Sequence, residues 1–392
     1  MALPLSYSWR SMYARGTRTL FTVAVIALVV VAITLFWSLI GSLKRTLVAS
    51  GSPYNLVVMR KGATNDGSSQ VPLEAYQAIR FFEGIAKDAQ GNPLVSPELV
   101  VQPFFHTASG ARENVLVRGV DPVALQVHDE VHIAEGRMFQ PSSGEAVVGK
   151  TIAQRYAGAQ LGKTVHFGTG NWKIVGVLES GGSTFESEVW VDARQLADDA
   201  KRSVPYSAFR VRVAPGADMD ALARRIEGDQ RWSLQAKPEL DYYESLMSTA
   251  KVLYFIVASL AIFAGMGAIF GATNTMYAAV QARISEIGTL RALGFSRGTI
   301  LLAFLVESIM IAGVGFAVGA LAAALLAVAI SASLGGVGLP ALTFTTNVVV
   351  LRVAPQDLVM PFLLALLIGL LGGLFPAAAA ARLRPVEALR KA

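Results

Sequence analysis

Four long apolar runs constrain the fold of this 392-residue chain more than any other feature of its sequence. Residues 19–43, 252–282 and 358–381 carry no charged side chain, and residues 299–331 carry only Glu307. A helix over residues 19–43 is about 37 Å long, which exceeds the roughly 30 Å hydrocarbon core of a bilayer. The sequence therefore predicts a membrane protein with four transmembrane α-helices.

The segment between the first two runs has the composition of a soluble domain. Residues 44–250 mix charges, glycines and prolines with short alternating runs, whereas the whole chain is 53% hydrophobic and only 16% charged. Short β-branched runs bounded by turn residues predict strands, and they alternate with amphipathic helical stretches. We therefore expect an α+β extracytoplasmic domain inserted between the first and second spans. The chain has no cysteine, which excludes disulfides.

The distribution of arginine and lysine predicts the orientation of the spans. The short opposite loop, residues 332–357, holds only Arg352. Ten basic residues lie on the other side: Arg10, Arg15, Arg18, Arg283, Arg291, Arg297, Arg382, Arg384, Arg390 and Lys391. Short cytoplasmic segments carry an excess of positive charge, so both termini are expected in the cytoplasm and the large domain outside. Because the basic residues flank apolar segments instead of forming one cluster, nucleic acid is not an expected partner.

These observations divide the chain into nine segments. The first apolar run exceeds a signal-peptide core of about 7–15 residues, so it is expected to remain as a span. In chain order the segments are a cytoplasmic amphipathic arm (1–18), the first span (19–43), the α+β domain (44–250), the second span continuing from an outer stalk (251–282), a cytoplasmic turn with a short helix (283–297), the third span (298–331), a short outer loop (332–357), the fourth span (358–381) and a cytoplasmic tail (382–392). We expect this protein in the inner, or plasma, membrane.

The charged turn at residues 283–297 has the pattern of an amphipathic helix. Its apolar residues recur at spacings of three: Ile284, Ile287, Leu290 and Leu293. Glu286 and Arg291 lie among them, and Gly294 supplies a stop. Such a helix either docks one face in a protein groove, with its charges fixing the register, or rests on the membrane surface.

Two motifs in the outer domain imitate catalytic or metal sites. Residues 144–151 match a nucleotide-binding P-loop, but the apolar run at 146–148 lies inside the pattern instead of before it, which favours a strand followed by a short helix. His128 and His132 have the spacing of a zinc helix, yet Asp129 replaces the glutamate of metalloproteases. The sequence favours surface or loop histidines and predicts neither a metal site nor a catalytic residue in this chain.

Small and ionisable residues within the spans are the other candidate sites. Glycine pairs four residues apart predict close packing between helices, and whether any pair forms a dimer face stays open: Gly267 and Gly271, Gly315 and Gly319, Gly369 and Gly373. Glu307 is costly inside a span unless it is paired or hydrated. It has either a coupling role or a position near the membrane interface, since it follows Arg297 by ten residues.

This layout resembles the FtsX/MacB-type permease subunits of ABC transporters. The resemblance is carried by one span, a large outer domain and three further spans, with the turn at 283–294 between the second and third. Residues 15–20, the pair Phe304 and Glu307, and the tail from Pro376 fit the same pattern. Residues 144–149 and 173–177 are similar to strands of the MacB-like periplasmic domain.

The resemblance implies a division of labour between chains. It implies that the turn is a coupling helix seated in a cytoplasmic ABC ATPase on a separate polypeptide, with these residues at the contact: Arg283, Ile284, Glu286, Ile287, Leu290, Arg291 and Gly294. ATP and Mg²⁺ are then expected on the ATPase, with no cofactor and no catalysis in this chain. A second permease copy or a paralogue, and a periplasmic adaptor, are the other expected partners.

Three functions remain open at this point. The first is an ABC transporter permease that exports or extracts a substrate on the outer side by mechanotransmission. The second is an FtsX-like mechanotransmitter that activates a cell-wall hydrolase or releases lipoproteins. The third, of another class, is a membrane-anchored sensor or assembly factor without an ATPase.

Overall fold

The computed structural model describes residues 16–106, 110, 112–248, 251–334, 337–339 and 347–383. The described residues form two compact units. One contains the residues up to Gly41, Val252–Ala329 and those from Leu351 onward, and the other contains Ser42–Lys251 and Ile330–Val350. Most of the expected N-terminal arm and C-terminal tail lies outside the described residues.

The helices and strands are numbered in chain order. The α-helices are α1 (Gly16–Val48), α2 (Leu73–Ile79), α3 (Ala124–Val127), α4 (Lys150–Arg155), α5 (Ala193–Asp199), α6 (Met219–Glu227), α7 (Glu239–Ser248), α8 (Lys251–Gln281), α9 (Ile284–Ala292), α10 (Arg297–Leu334) and α11 (Val359–Arg382). The strands are β1 (Asn55–Arg60), β2 (Val95–Val101), β3 (Phe104–His106), β4 (Arg112–Asn114), β5 (Leu116–Val120), β6 (His132–Gly136), β7 (Glu145–Gly149), β8 (Thr164–Phe167), β9 (Gly170–Glu179), β10 (Glu188–Asp192), β11 (Ala208–Arg212), β12 (Leu234–Pro238), β13 (Val337–Leu339) and β14 (Asn347–Val349).

Four of these helices, α1, α8, α10 and α11, are long and apolar enough to cross a membrane. Each matches one of the four apolar runs of the sequence, because uninterrupted apolar stretches satisfy their backbone hydrogen bonds internally as helices. They pack around a shared apolar core that includes Ile26, Ala272, Ile311 and Ile368. Most of the remaining apolar surface of these helices faces away from the chain, as expected for a segment surrounded by lipid.

The second unit is an α/β domain built on one ten-stranded sheet. The strand order is β12-β1-β11-β2-β5-β10-β7-β9-β6, with β8 paired to β9. The pairs β5–β10 and β7–β9 are parallel, whereas the other pairs along this order are antiparallel. Asp192 and Asp218 cap α5 and α6 by accepting backbone hydrogen bonds, as short polar side chains at this position commonly do.

The expected class of fold is confirmed: four membrane helices, with an α/β domain between the first and the second. The P-loop look-alike forms strand β7 and helix α4, as the position of its apolar residues indicated. A side chain at Gly149 would collide with the carbonyl oxygen of Glu186, so this glycine permits a close backbone contact. The two histidines with the spacing of a zinc helix do not share a helix, because α3 ends at Val127 and β6 begins at His132.

The expected outer loop is partly structured. Strands β13 and β14 form an antiparallel pair, and the backbone amide of Val348 donates a hydrogen bond to Oγ of Ser187 at 3.2 Å. Both groups belong to the same unit as the large domain. This part of the loop therefore packs as an extension of that domain.

Candidate functional site

The charged turn forms helix α9, which begins after Arg283 and ends at Ala292. Gly294 follows with a φ of +92°, a backbone conformation that suits glycine. The amide of Phe295 donates to the carbonyl of Leu290, and the amide of Gly294 donates to that of Arg291, both at 3.2 Å. These two bonds are the Schellman arrangement of a helix end, so the sequence located the end of this helix correctly.

An ion pair ties the start of α9 to α10. Arg283 Nη1 lies 2.9 Å from Glu307 Oε2, and both side chains are buried. The guanidinium also lies 3.7 Å from the carboxylate of Glu286 and over the ring of Phe304, 5.8 Å from its centroid. The Glu307 carboxylate therefore holds Arg283, and with it the turn before α9, against α10.

The two faces of α9 have different surroundings. Ile287 is 2% exposed and lies in the apolar core of the helical bundle. Ile284, Leu290 and Arg291 are half-buried, whereas the side chain of Glu286 is 56% exposed and Leu293 is 72% exposed. The expectation that the whole apolar stripe docks in a partner therefore needs correction, because the burial of Ile287 anchors α9 to its own chain.

The side chain of Arg291 stabilises the turn that follows α9. Its Nη1 donates a hydrogen bond to the backbone carbonyl of Phe295 at 2.9 Å. This contact, with the glycine stop after it, holds the segment between α9 and α10 in one conformation. Glu286 and Leu293 are therefore exposed side chains on a helix whose two ends are held in place by contacts within the chain.

The glycine pairs of the spans differ in what they contact. A Cβ at Gly315 or Gly319 would lie 2.7–2.9 Å from atoms of α1, and one at Gly369 or Gly373 would lie 2.5–2.8 Å from side-chain atoms of α10. These four glycines therefore lie where helices approach closely. In contrast, no described atom outside the helix's own backbone lies within 4 Å of a Cβ built at Gly267 or Gly271. Their expected packing does not occur among the residues that the structure describes, because both lie on an outward face of α8.

A second cluster lies inside the outer domain, where the sequence indicated no site. Seven ionisable side chains, each at most 6% exposed, contact one another there: Asp66, Glu98, Arg118, His128, Glu188, Arg210 and Glu239. We name this set the buried ion network. Its four carboxylates and three basic groups come from four adjacent strands (β11, β2, β5 and β10) and from three covering segments.

Arg118 and Arg210 are the centres of the buried ion network. Arg118 makes a bidentate pair with Glu188 at 2.6 and 2.7 Å and a bond of 2.7 Å to Glu98. Arg210 lies 3.2 Å from Asp66 and 3.3 Å from Glu98 and from Glu239. Glu239, the first residue of α7, also accepts hydrogen bonds from the amide of Ser52 and the side chain of Asn55. The network therefore attaches α7 to the sheet.

His128 lies in a loop, one of the two expected placements, but it is not a surface residue. It lies in a loop at the end of α3, but its side chain is wholly buried and Nε2 is 2.7 Å from Glu98 Oε1. Burial by itself would lower the pKa of His128, but the neighbouring Glu98 carboxylate raises it to about 9. Burial likewise opposes ionisation of Glu98, yet Arg210, Arg118 and His128 hold the pKa of that carboxyl well below its usual range. The pair therefore consists of a protonated His128 imidazole and an ionised Glu98 carboxylate.

The sequence contains a pattern at this network that fits either a face exposed to water or a buried polar face. The polar residues at positions 98, 118, 188 and 210 alternate with apolar ones along their strands. Such alternation normally indicates a face exposed to water. Here the turn at Asp66, the end of α3 and helix α7 cover that face, which only the tertiary structure shows. Across the described ranges, no three His, Asp or Glu side chains are placed to hold a metal ion.

Comparison with known proteins agrees with this architecture. Residues 19–229 match the family model of the MacB-like periplasmic core domain, and residues 258–385 match the FtsX-like permease C-terminal model. The macrolide export ATP-binding/permease protein MacB of Bdellovibrio bacteriovorus is 27% identical over 379 residues, which cover 89% of this chain and 55% of that protein. The pyoverdine export ATP-binding/permease protein PvdT of Pseudomonas syringae pv. tomato is 25% identical over 421 residues, covering 97% of this chain and 58% of that protein.

A solved structure is also similar to part of the chain. The periplasmic region of MacB from Actinobacillus actinomycetemcomitans aligns with 50% of this chain and 94% of its own, at 11% identity and a TM-score of 0.39. The chain spans about half the length of the curated relatives it matches. The two family models together cover the outer domain and the membrane helices. The chain belongs to the MacB/FtsX-like permease family of ABC transporters.

Proposed function

We propose that this chain is the permease subunit of an ABC transporter and that α9 receives the motion generated by a cytoplasmic ATPase on a partner chain. The observation that carries the proposal is the two-sided anchoring of α9. Arg283 and Ile287 fix the helix to the bundle, while Glu286 and Leu293 are exposed. A docked ATPase that pushes on this face would move α10 through the Arg283–Glu307 pair instead of bending a loose loop.

The output of this motion is proposed to lie in the outer domain. Relatives of this chain are named for macrolide and pyoverdine export. We propose export or extraction of a substrate on the outer side, by mechanotransmission, with a periplasmic adaptor as a further partner. Activation of a cell-wall hydrolase or lipoprotein release is the alternative within the family, and it differs only in what the outer domain acts on. We propose no catalytic step for this chain, and we expect ATP and Mg²⁺ to bind to the partner ATPase.

Co-purification of the ATPase tests the coupling role. We expect Glu286→Arg and Leu293→Asp each to reduce ATPase retention on the tagged, membrane-inserted chain by at least about tenfold, which corresponds to about 1.4 kcal/mol. Glu74→Arg is the matched control, because Glu74 is an exposed acidic residue in the first turn of α2 in the outer domain. Unchanged retention in both α9 variants would contradict the proposal and would favour a sensor or assembly factor without an ATPase.

The proposed orientation places both termini and α9 in the cytoplasm, with the outer domain in the periplasm or outside the cell. The chain has no cysteine, so single cysteines can be labelled without background. We expect Thr64→Cys, at an exposed position of the outer domain, to react with a membrane-impermeant maleimide in intact cells. Ser296→Cys, at an exposed position after α9, should react only after the membrane is opened. The reverse pattern would contradict this topology.

A further inference from the structure

The outer domain contains a cleft of about 800 Å³ that shares no residue with the buried ion network. Its walls are α2, α5 and the segment that leads from α5 into β11. Pockets for small organic molecules commonly have volumes of about 300–1,000 Å³. The lining combines apolar and aromatic side chains, among them Tyr76 and Tyr206, with three arginines. We name this space the arginine cleft, after Arg80, Arg194 and Arg202.

The walls of the arginine cleft are held in place by contacts within the domain. The amide of Val71, just before α2, donates to the carbonyl of Tyr206 at 2.9 Å. The amide of Arg202 donates to the carbonyl of Ala197 in α5, also at 2.9 Å. The rings of Tyr76 and Tyr206 pack edge to face, with their centroids 5.8 Å apart. Because these contacts already fix the walls, a ligand that enters the cleft loses little affinity to ordering of the protein.

The three guanidinium groups of the cleft form no ion pair with a described carboxylate. Arg80 is also partly desolvated, since its Cζ lies 5.3 Å from the ring centroid of Tyr76 and 5.1 Å from that of Phe81. Its Nε is buried and makes no hydrogen bond to any described residue. A desolvated cation without a counter-charge is unfavourable, because neither water nor a carboxylate fully stabilises it. An anion in the cleft would supply the missing charge.

The carboxylates near the cleft do not neutralise its arginines. Glu74 and Asp198 line the cleft, but both are exposed, and they are two acidic groups against three cationic ones. Asp121 is a half-buried carboxyl nearby, and burial raises its pKa although Arg194 and Arg80 favour its ionised form. An ion pair with either guanidinium would lower that pKa instead. The lining of the cleft therefore has an excess of positive charge.

The class of ligand follows from the two kinds of side chain in the lining. Guanidinium groups bind carboxylates and other oxyanions through paired N–H donors, and tyrosine rings pack against apolar or aromatic groups. Besides burial, both Arg80 and Arg194 influence the pKa of Asp121 and of Tyr76, so the two arginines face a common region. We infer that the arginine cleft binds a small organic anion, with its charged group at Arg80 and Arg194 and its aromatic or apolar body against Tyr76 and Tyr206. The inference does not depend on the proposed coupling role, because every residue of the cleft belongs to the outer domain.

Binding of 2-naphthoate tests the inference on the full chain in nanodiscs of zwitterionic lipid, with the signal of empty nanodiscs subtracted. This probe has one carboxylate on an aromatic body, whereas 2-naphthamide has the same shape without the charge and acetate has the charge without the rings. We expect saturable binding of 2-naphthoate by isothermal titration calorimetry, and binding of the other two compounds that is weaker by at least about tenfold. Absence of saturable 2-naphthoate binding, or equal binding of either other compound, would overturn the inference.

Two substitutions test whether the probe binds in the arginine cleft. Arg80→Gln and Arg194→Gln each remove one guanidinium and should weaken 2-naphthoate binding by about tenfold. Arg60→Gln is the matched control, because Arg60 is an exposed arginine of the same domain outside the cleft and its loss should leave binding unchanged. Arg194 is exposed, so Arg194→Gln should keep its melting temperature and remains informative even if Arg80→Gln unfolds. Unchanged binding in Arg194→Gln, or an equal loss in Arg60→Gln, would overturn the inference.

ATPase retention in the same samples separates this inference from the proposed function. We expect Arg194→Gln to lower 2-naphthoate binding and to retain the ATPase, whereas Glu286→Arg in α9 should do the reverse. Loss of 2-naphthoate binding in Glu286→Arg would contradict a site confined to the outer domain.

Discussion

Nη1 of Arg283 lies 2.9 Å from Oε2 of Glu307, and this buried pair connects the start of α9 to the first third of the membrane-spanning helix α10. An ionised carboxylate inside a span is tolerated when a cation compensates it. The pair therefore explains both the position of Glu307 and the rigid attachment of the turn. In the proposed coupling role, a force applied to the exposed side of α9 would reach α10 through this contact.

Charge exchange tests the Arg283–Glu307 pair. Arg283→Glu and Glu307→Arg each place two like charges together in a buried position, so each is expected to lower the thermal stability of the purified chain and to reduce ATPase retention. The double exchange restores opposite charges and should recover a substantial part of both. If the double variant is as impaired as the single ones, the contact does not contribute as an ion pair.

Substitutions at Ile287 and at Leu293 are expected to have different effects, although both residues are apolar and lie in the same turn. Ile287→Ala removes buried side-chain atoms from the bundle core and should lower stability by about 2–5 kcal/mol. Leu293→Ala removes exposed atoms and should leave the melting temperature unchanged while reducing ATPase retention. Melting and co-purification of the same samples distinguish the two. Loss of stability in Leu293→Ala would contradict its outward placement.

Arg118 is expected to be essential to the stability of the outer domain. Arg118→Met leaves Glu188 buried without the cation that pairs with it and removes one of the three basic neighbours of Glu98, which costs about 3–5 kcal/mol for a buried ion pair broken on one side. Lys150→Met is the control, since its pair with Glu179 is exposed to solvent and should contribute little. Denaturant unfolding of both variants, followed by tryptophan fluorescence, gives the comparison. Equal destabilisation would contradict a special role for the buried pair.

The His128–Glu98 pair predicts a dependence of stability on pH. The pKa of His128 is raised from about 6.5 in the unfolded chain to about 9 in the folded one. Its stabilising contribution is therefore complete below pH 6.5 and is lost as the pH rises through 9.

Melting temperatures of the full chain should consequently fall between pH 7 and pH 9. The fluorescence of Trp190 provides a local signal, since its ring centroid lies 5.7 Å from that of His128. His128→Gln should be less stable at pH 6 and should lose this part of the pH dependence. An unchanged pH profile in His128→Gln would show that other groups cause it.

Helix approach at Gly319 is tested by adding one methyl group. A Cβ at this position would lie 2.7 Å from the carbonyl of Ala27 and 2.8 Å from Cβ of Val30, so Gly319→Ala should cost about 1–3 kcal/mol. Gly313→Ala on the same helix is the control, because a Cβ there meets no described atom beyond the helix's own backbone within 4 Å. Thermal melts in detergent should separate the two variants. Similar melting temperatures would contradict the close packing of α10 on α1.

The sequence by itself determined the features that depend on neighbouring residues along the chain. Four long apolar runs, three of them without a charge, predicted the four membrane helices, and Gly294 marked the end of α9. The apolar run inside the P-loop look-alike showed that it is a strand followed by a helix. Each follows from backbone hydrogen bonding and side-chain periodicity within one segment, which is why a single sequence suffices.

Only the tertiary structure decided which face of each element is covered. The spacing of Ile284, Ile287 and Leu290 is the same whether the stripe meets a partner or its own bundle, and the structure buries Ile287. The alternation around Arg118 and Arg210 resembles a solvated sheet face until the Asp66 turn, the loop with His128 and α7 cover it. Glycine pairs look alike in sequence, yet among the described residues the pairs of α10 and α11 contact a neighbouring helix and the pair of α8 does not. Burial depends on segments distant in the sequence, and local periodicity contains no information about them.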